Sequence, residues 1–183
     1  MSSLTTKKVI AYSFKDLLKE KTFNKITVND IAKKCNINRQ TFYYHFQDIQ
    51  DLVEWICIEE TNKILNNNSN CKNWEEKFLS IFNLIRQEKV FVVNIYHSVS
   101  LEILRKNLYN MVYPIIYEEI DKISKGDKYK EEDKVFITNF YKYAFVAIVL
   151  NWVEEGMKEN PQLIVNKVSK LVSGTIMQML GEK

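Results

Sequence analysis

Apolar residues recur along this chain mainly at intervals of three and four, the spacing that lines one face of an α-helix. In the first fifty residues the pattern comes in short runs. The first, from about Thr5 to Lys21, places Val9, Phe14, Leu17 and Leu18 on one stripe, with Lys7, Lys8, Lys15 and Lys19 mostly elsewhere. Thr27-Val28-Asn29-Asp30 then has the form of a capping box, in which Thr27 accepts a helix N–H and Asp30 reaches back. It opens a second helix to about Cys35. Asn36 follows, the non-glycine type that best tolerates a left-handed turn. Asn38 caps a third helix from Arg39 to about Phe46. Two short helices joined by so tight a turn predict a helix-turn-helix.

Beyond residue 46 the runs lengthen. Helices are predicted from about Asp48 to Leu65, from the Asn73/Glu76 cap to Glu88, from Lys89 to Tyr96, and from Ser100 to Ile123. Pro114 is expected to kink or interrupt the last of these. Polar loops are expected at Asn66–Asn70 and at Ser124–Lys130. A long helix from Glu131 to Lys158 should end at Gly156 and Asn160-Pro161, and a final one should run from Pro161 to Leu180. Four glycines and two prolines in 183 residues leave little material for tight turns, so the expected class is all-α.

Charge changes this picture at one end. Net charge is +3, but residues 1–50 hold nine Lys/Arg against four Asp/Glu, and residues 51–183 hold seventeen against nineteen. A basic head sits on a mildly acidic body. The three cysteines, Cys35, Cys57 and Cys71, form no Cys-x-x-C pair and have only His45 and His97 to join them. Reduced core thiols are expected, with no metal site and no disulfide framework. The N-terminal stretch lacks the apolar segment of a secretory signal, and the longest apolar run, Tyr143–Leu150, is too short for a bilayer span. A cytoplasmic protein without membrane or cofactor is the expectation. No phosphate loop, nucleophile elbow or metal-ligand spacing marks a catalytic residue, so an enzyme is not expected.

The informative stretch is IAKKCNINRQTFYYHFQDIQDL, Ile31 to Leu52. On the third helix Phe42 and Phe46 are four apart and must face inward with Ile37. The opposite face offers Arg39, Gln40, Tyr43 and Tyr44, with Thr41 and His45 at its margins. Arginine matches guanine O6/N7 and glutamine adenine N6/N7, while tyrosine and threonine hydroxyls suit phosphates. A recognition helix presents its N-terminal residues to the major groove, where Arg39 and Gln40 stand.

Thr27, Ile31-Ala32, Phe42-Tyr43-Tyr44-His45-Phe46 and Asp51-Leu52 together resemble the head of the TetR family of transcription regulators over about residues 6–55. The resemblance implies a homodimer whose residues 1–48 read double-stranded operator DNA and whose residues 49–183 bind an effector and dimerise. It puts Arg39, Gln40 and Thr41 near base edges, and Tyr43, Tyr44 and His45 on backbone and methyl groups. Thr27 and Asn29 fall at phosphates. Two positions depart from the pattern: Asn36 stands where glycine is frequent, and Ile49 where a phosphate-binding lysine is common. Gln47 or Gln50 is left to substitute, with weaker backbone anchoring expected. Arg39–Tyr43, Asp51-Leu52 and Trp55-Ile56 are also similar to the branch that includes activators of dihydroxyacetone kinase operons, where a partner protein can replace a small-molecule effector.

The body offers two broad apolar helix faces near its end, more than one small body can cover, and pairing with a second copy as a four-helix bundle accommodates them. The expected dimer residues are Phe140, Ala144, Ala147, Trp152, Val168, Leu171, Val172, Thr175 and Met179. An aromatic pocket near Pro114 is expected to draw on Tyr96, His97, Tyr113, Tyr117 and Tyr143. The alternative is a helical protein-interaction module, or a small-molecule-binding helical protein, without DNA specificity.

Overall fold

The structure, a computed structural model, describes residues 3–67, 71–124 and 130–181, with side chains described up to residue 172 apart from that of Asn67. Nine α-helices and no strands are found among the described residues. They are α1 (Ser3–Leu17), α2 (Val28–Lys34), α3 (Arg39–His45), α4 (Ile49–Asn67), α5 (Trp74–Gln87), α6 (Lys89–Tyr96), α7 (Leu101–Ile123), α8 (Glu131–Glu154) and α9 (Pro161–Gly181). The chain forms two compact units. One comprises Met1–Glu60 and Glu88–Asn107, the other Thr61–Gln87 and Leu108–Lys183.

In the first unit α1 packs on α2 and α3. Its core contains Ile10, Phe14, Leu17, Ile31, Phe42, Phe46, Leu52 and Phe91, all nearly or fully buried. The stripe on α1 is shifted by one residue from the expected one. Ile10 joins Phe14 and Leu17, an i, i+4, i+7 set, while Val9 sits a hundred degrees round the helix and is only half-buried. The helix also stops at Leu17 rather than Lys21, continuing as a hydrogen-bonded turn in which the Lys21 N–H donates to the Leu17 carbonyl at 2.9 Å.

The second unit is built on aromatic contacts. Phe78 on α5 stacks on Phe145 of α8 with ring centres 3.9 Å apart, and Phe82 meets Trp152 edge-on at 5.0 Å. Trp152 is buried, and its indole N–H donates to the Glu159 carbonyl at 2.9 Å, so the polar atom enters the core with a partner. α8 stops at Glu154, four residues before the expected end. Gly156 and Met157 adopt left-handed φ of 79° and 62°, and their N–H groups donate to the carbonyls of Val153 and Trp152. That is a Schellman stop, with Gly156 where a Cβ is least welcome.

Pro114 does not interrupt α7, which runs unbroken from Leu101 to Ile123. Pro114 and Asn110, whose carbonyl loses its i+4 donor, are both exposed, where water can satisfy that carbonyl. The expected loop around Gly126 lies mostly outside the described residues, as do 68–70 of the asparagine cluster; Asn66 and Asn67 belong to α4.

No segment was expected to reach bilayer length, yet α8 is long and apolar enough to do so by length and composition alone. One flank of it, including Thr138, Tyr141, Phe145, Val149 and Trp152, is buried in the second unit. The other flank carries Phe136, Phe140, Tyr143, Ala144 and Ala147, all exposed, with Phe136 71% and Phe140 63% accessible. These residues form an apolar stripe at i, i+4, i+7, i+8 and i+11.

Candidate nucleic-acid interface

Local capping fixes α2 and α3. The Asp30 N–H donates to Thr27 Oγ1 at 3.2 Å, and Asp30 Oδ2 accepts the Thr27 N–H at 2.9 Å and its hydroxyl at 2.7 Å. These bonds, first the one from the Thr27 hydroxyl, and a Lys21 ammonium at 3.1 Å hold the Asp30 carboxyl down to about 2. Asn36 has φ 54° and closes the turn as a Schellman motif, with the Ile37 N–H on the Ala32 carbonyl and its own N–H on that of Lys33. Asn38 Oδ1 then accepts the Thr41 N–H at 2.7 Å and the Thr41 hydroxyl at 2.9 Å. Every expected cap is present.

On α3 the inward and outward faces are sharply divided. Phe42 is fully buried and Phe46 nearly so, their rings 5.8 Å apart, and Ile37 is half-buried beside them. Outward stand Arg39, Gln40, Tyr43 and Tyr44, with Tyr44 82% accessible. The Arg39 guanidinium lies 5.9 Å from the Tyr43 ring centre, and its Nη2 is 3.5 Å from that tyrosine's hydroxyl. Arg39 is therefore partly pre-ordered yet exposed, a combination suited to bidentate contact. Tyr44 and His45 meet edge-on at 5.0 Å, with His45 half-buried.

The caps also restrict two candidates. The hydroxyls of Thr27 and Thr41 are committed to Asp30 and Asn38. Asn29 is exposed on α2. At the start of α4, Asp48 Oδ1 accepts the Asp51 N–H and Asp51 Oδ2 the Gln47 N–H, each at 2.8 Å. Ile49 is half-buried there, while Gln47 and Gln50 are exposed.

The basic excess is less free than its count suggests. Lys19 pairs with Asp16, Lys21 with Asp30, Lys34 with Asp16 and Glu20, and Lys15 with Glu60 and Glu88. Lys7 lies over the Phe46 and Trp55 rings at 5.0 and 5.9 Å. Lys8, Lys25 and Lys33 are exposed and, among the described residues, make no ion pair. Sequence reading did not single out these three, because the carboxylates that neutralise the other lysines come partly from distant segments.

The five residues expected to line an aromatic pocket are divided between the two units. Tyr96 and His97 meet edge-on at 5.1 Å in the first unit. In the second unit, Tyr113 and Tyr117 stack at 6.0 Å, and the Lys142 ammonium lies over the rings of Tyr109, Tyr113 and Tyr143 at 5.2, 5.7 and 4.3 Å. That is a cation held on aromatic faces at a helix surface. A separate, small and open apolar recess lies in the second unit among Trp74, Phe78, Ile116, Tyr141, Phe145 and Val172, with Glu119 at its wall. None of the five expected residues lines it.

Of the expected dimer residues, Phe140, Ala144, Ala147 and Leu171 are exposed, Leu171 to 70%. Trp152, Val168 and Val172 are buried in the chain's own core and offer little surface to a partner. The side chains of Thr175 and Met179 lie outside those described.

Comparison with known proteins places this geometry. Residues 15–56 match the profile of bacterial regulatory proteins of the tetR family, and residues 72–174 that of a TetR-type transcriptional regulator C-terminal region. The chain is 27% identical over 187 residues to the HTH-type dhaKLM operon transcriptional activator DhaS of Lactococcus lactis, covering 98% of this chain and 91% of that one. It is 26% identical over 145 residues to the biofilm operon icaADBC negative regulator IcaR of Staphylococcus aureus, covering 75% of each. Among solved structures, the dihydroxyacetone kinase operon activator DhaS superposes with a TM-score of 0.69 at 24% identity, over 94% of this chain and 97% of that one. FadR of Bacillus subtilis in complex with stearoyl-CoA gives 0.60 at 17%, over 90% and 96%. These relatives are transcription regulators, not enzymes. An all-helical chain with a capped helix-turn-helix at its head and family profiles over both its parts belongs to the TetR family, and is a DNA-binding transcription regulator.

Proposed function

We propose that this regulator acts in the cytoplasm as a homodimer that reads double-stranded operator DNA with α3 of each copy. The observation that carries this reading is the division of α3, with Phe42 and Phe46 anchored in the core and Arg39, Gln40, Tyr43 and Tyr44 presented outward. Arg39 and Gln40 read base edges, and Thr41 offers its methyl to them. Tyr43, Tyr44, His45, Thr27 and Asn29 lie along the backbone, with the Thr27 contribution coming from its main chain because the hydroxyl caps α2. Lys8, Lys25 and Lys33 supply further charge for phosphates.

Residues 1–48 form the reading head, and residues 49–183 carry the effector and dimer functions. The dimer forms through the exposed stripe of α8 and Leu163 and Leu171 of α9, the two apolar residues that α9 exposes most among those described. The effector is a small molecule or a partner protein. The recess at Trp74, Tyr141 and Phe145 favours an apolar group, in keeping with the stearoyl-CoA bound to the FadR structure. The likeness to DhaS favours a place in the branch of dihydroxyacetone kinase operon activators.

Arg39→Ala tests the reading on an operator recovered from a random DNA pool. Affinity is expected to fall by ~1–3 kcal/mol, with base preference relaxed at one position of the half-site. Equal discrimination by wild type and variant at every position contradicts the base-reading role of Arg39.

A further inference from the structure

Lys7 differs from the other cations of the first unit in what holds it. Its ammonium lies 5.0 Å from the ring centre of Phe46, the residue that follows α3, and 5.9 Å from that of Trp55 on α4. Phe46 is buried and its ring meets that of Trp55 at 5.9 Å, so the two form one fixed aromatic surface under the ammonium. Lys7 is half-buried and, among the described residues, makes no ion pair. Aromatic rings attract an ammonium without neutralising it or accepting its N–H groups as a carboxylate does. Lys15, Lys19, Lys21 and Lys34 are paired with carboxylates, whereas Lys7 keeps its whole charge. Lys8, Lys25 and Lys33 are exposed and must be ordered on binding, an entropic cost that Lys7 has met in advance.

The place of Lys7 matters because of what surrounds it in sequence. Between Arg39 and Lys63 the chain has no lysine or arginine, while Asp48, Asp51, Glu54, Glu59 and Glu60 all fall there. Asp48 and Asp51 stand at the turn from α3 into α4, where they accept backbone N–H groups. A DNA backbone approaching that turn meets carboxylates and, from this stretch, no cation. α3 is seven residues long and so spans ~10 Å. With Arg39 at base edges, the far end of α3 comes close to one wall of a major groove about 12 Å wide, where the phosphates run. The fold brings a cation to that end from α1, far back in the chain.

We propose that Lys7 is a further DNA-binding residue, its ammonium set by the Phe46 and Trp55 rings to take a backbone phosphate at the C-terminal end of α3. The proposal rests on α3 being the helix that reads operator DNA. A phosphate contact fixes the register of the head without reading sequence, so Lys7 serves affinity and not base choice. The rings hold the ammonium from one side and leave N–H groups for phosphate oxygens.

The test measures operator affinity of the full-length protein across a salt series. Each phosphate neutralised steepens the fall of log affinity with log salt by about 0.9. Lys7→Met keeps an unbranched stem over the rings and removes the charge. Its slope is expected to be shallower by about 0.9 for each head engaged, and so by about 1.8 for two. Base preference is expected to stay that of the wild type at every half-site position, unlike that of Arg39→Ala. Lys7→Arg, which keeps a cation over the rings, is expected to restore the wild-type slope. A folded Lys7→Met protein with the wild-type slope overturns the proposal, whatever its melting temperature, because the ring contacts then serve the packing of the head alone. Should Lys7→Met fail to fold, lysine acetylation of the wild type decides: shielding of Lys7 by operator DNA supports the proposal, and equal labelling with and without DNA overturns it. Absence of operator binding by the wild type overturns the reading by α3, and this proposal falls with it.

Discussion

Phe140→Asp combined with Leu171→Asp is expected to turn the protein into a monomer in sedimentation and to lower its operator affinity by roughly 10²–10⁴. Both side chains are mostly exposed, and the melting temperature of the subunit itself should change little. What the substitutions do change is the surface that a second copy would cover. Phe136, Phe140, Tyr143, Ala144 and Ala147 form one uninterrupted outer stripe on α8. A carboxylate in its middle would be desolvated without a partner on pairing, and two such pairs face each other in a twofold interface. The loss in DNA affinity follows because each head then binds alone, without the second head held nearby. A dimer that survives both substitutions places the interface elsewhere.

Phe42→Ala acts from the opposite side of the reading helix and should cost ~3–5 kcal/mol of stability, the range for emptying a buried aromatic site. Total stability of a domain is only ~5–15 kcal/mol, so this removes a large share. Phe42 is fully buried, and its ring meets Phe46 at 5.8 Å and Tyr43 at 5.7 Å. The cavity therefore opens directly beneath the face that holds Arg39 and Tyr43. DNA binding is expected to disappear at temperatures where the wild type still binds, with the loss tracking a lowered thermal midpoint. Tyr44→Ala, by contrast, removes an 82% accessible side chain and should leave that midpoint almost unmoved while weakening binding. Comparing the two separates the support of α3 from its contact surface.

The features readable from sequence are those whose causes are local. Thr27 and Asp30, Asn38 and Thr41, and Asn73 and Glu76 are three residues apart, and the hydrogen bonds they make need no information from elsewhere in the chain. The left-handed turn at Asn36 belongs with them. Together they determine the helix-turn-helix and hence the outward set on α3.

Features that depend on distant partners were not readable. α8 is apolar almost all round, so its period cannot say whether Phe140 or Tyr141 faces the core. The structure buries Tyr141, Phe145 and Val149 and leaves Phe136 and Phe140 outside. The same ambiguity put Trp152, Val168 and Val172 among the dimer residues, when all three belong to the chain's own core. The recess draws Trp74 from α5, Ile116 from α7, Phe145 from α8 and Val172 from α9, a convergence that spacing along one helix cannot reveal. Lys15 was read as one lysine off the apolar stripe of α1. Its partners, Glu60 and Glu88, lie far along the chain.

The uneven charge of the head also gains a physical meaning. Four of its nine cations are neutralised by carboxylates within the first unit, and Ile49 supplies none at the start of α4. A single head is therefore a weak electrostatic anchor, which supports the proposal that two heads act together in specific binding.

Selection of bound sequences from a random DNA pool by the full-length protein tests that claim most directly. The account predicts an inverted repeat whose half-site centres lie roughly one helical turn, ~34–36 Å, apart, with each half-site carrying a guanine or adenine suited to Arg39 and Gln40. Recovery of an unpaired motif, or no enrichment at all, contradicts it.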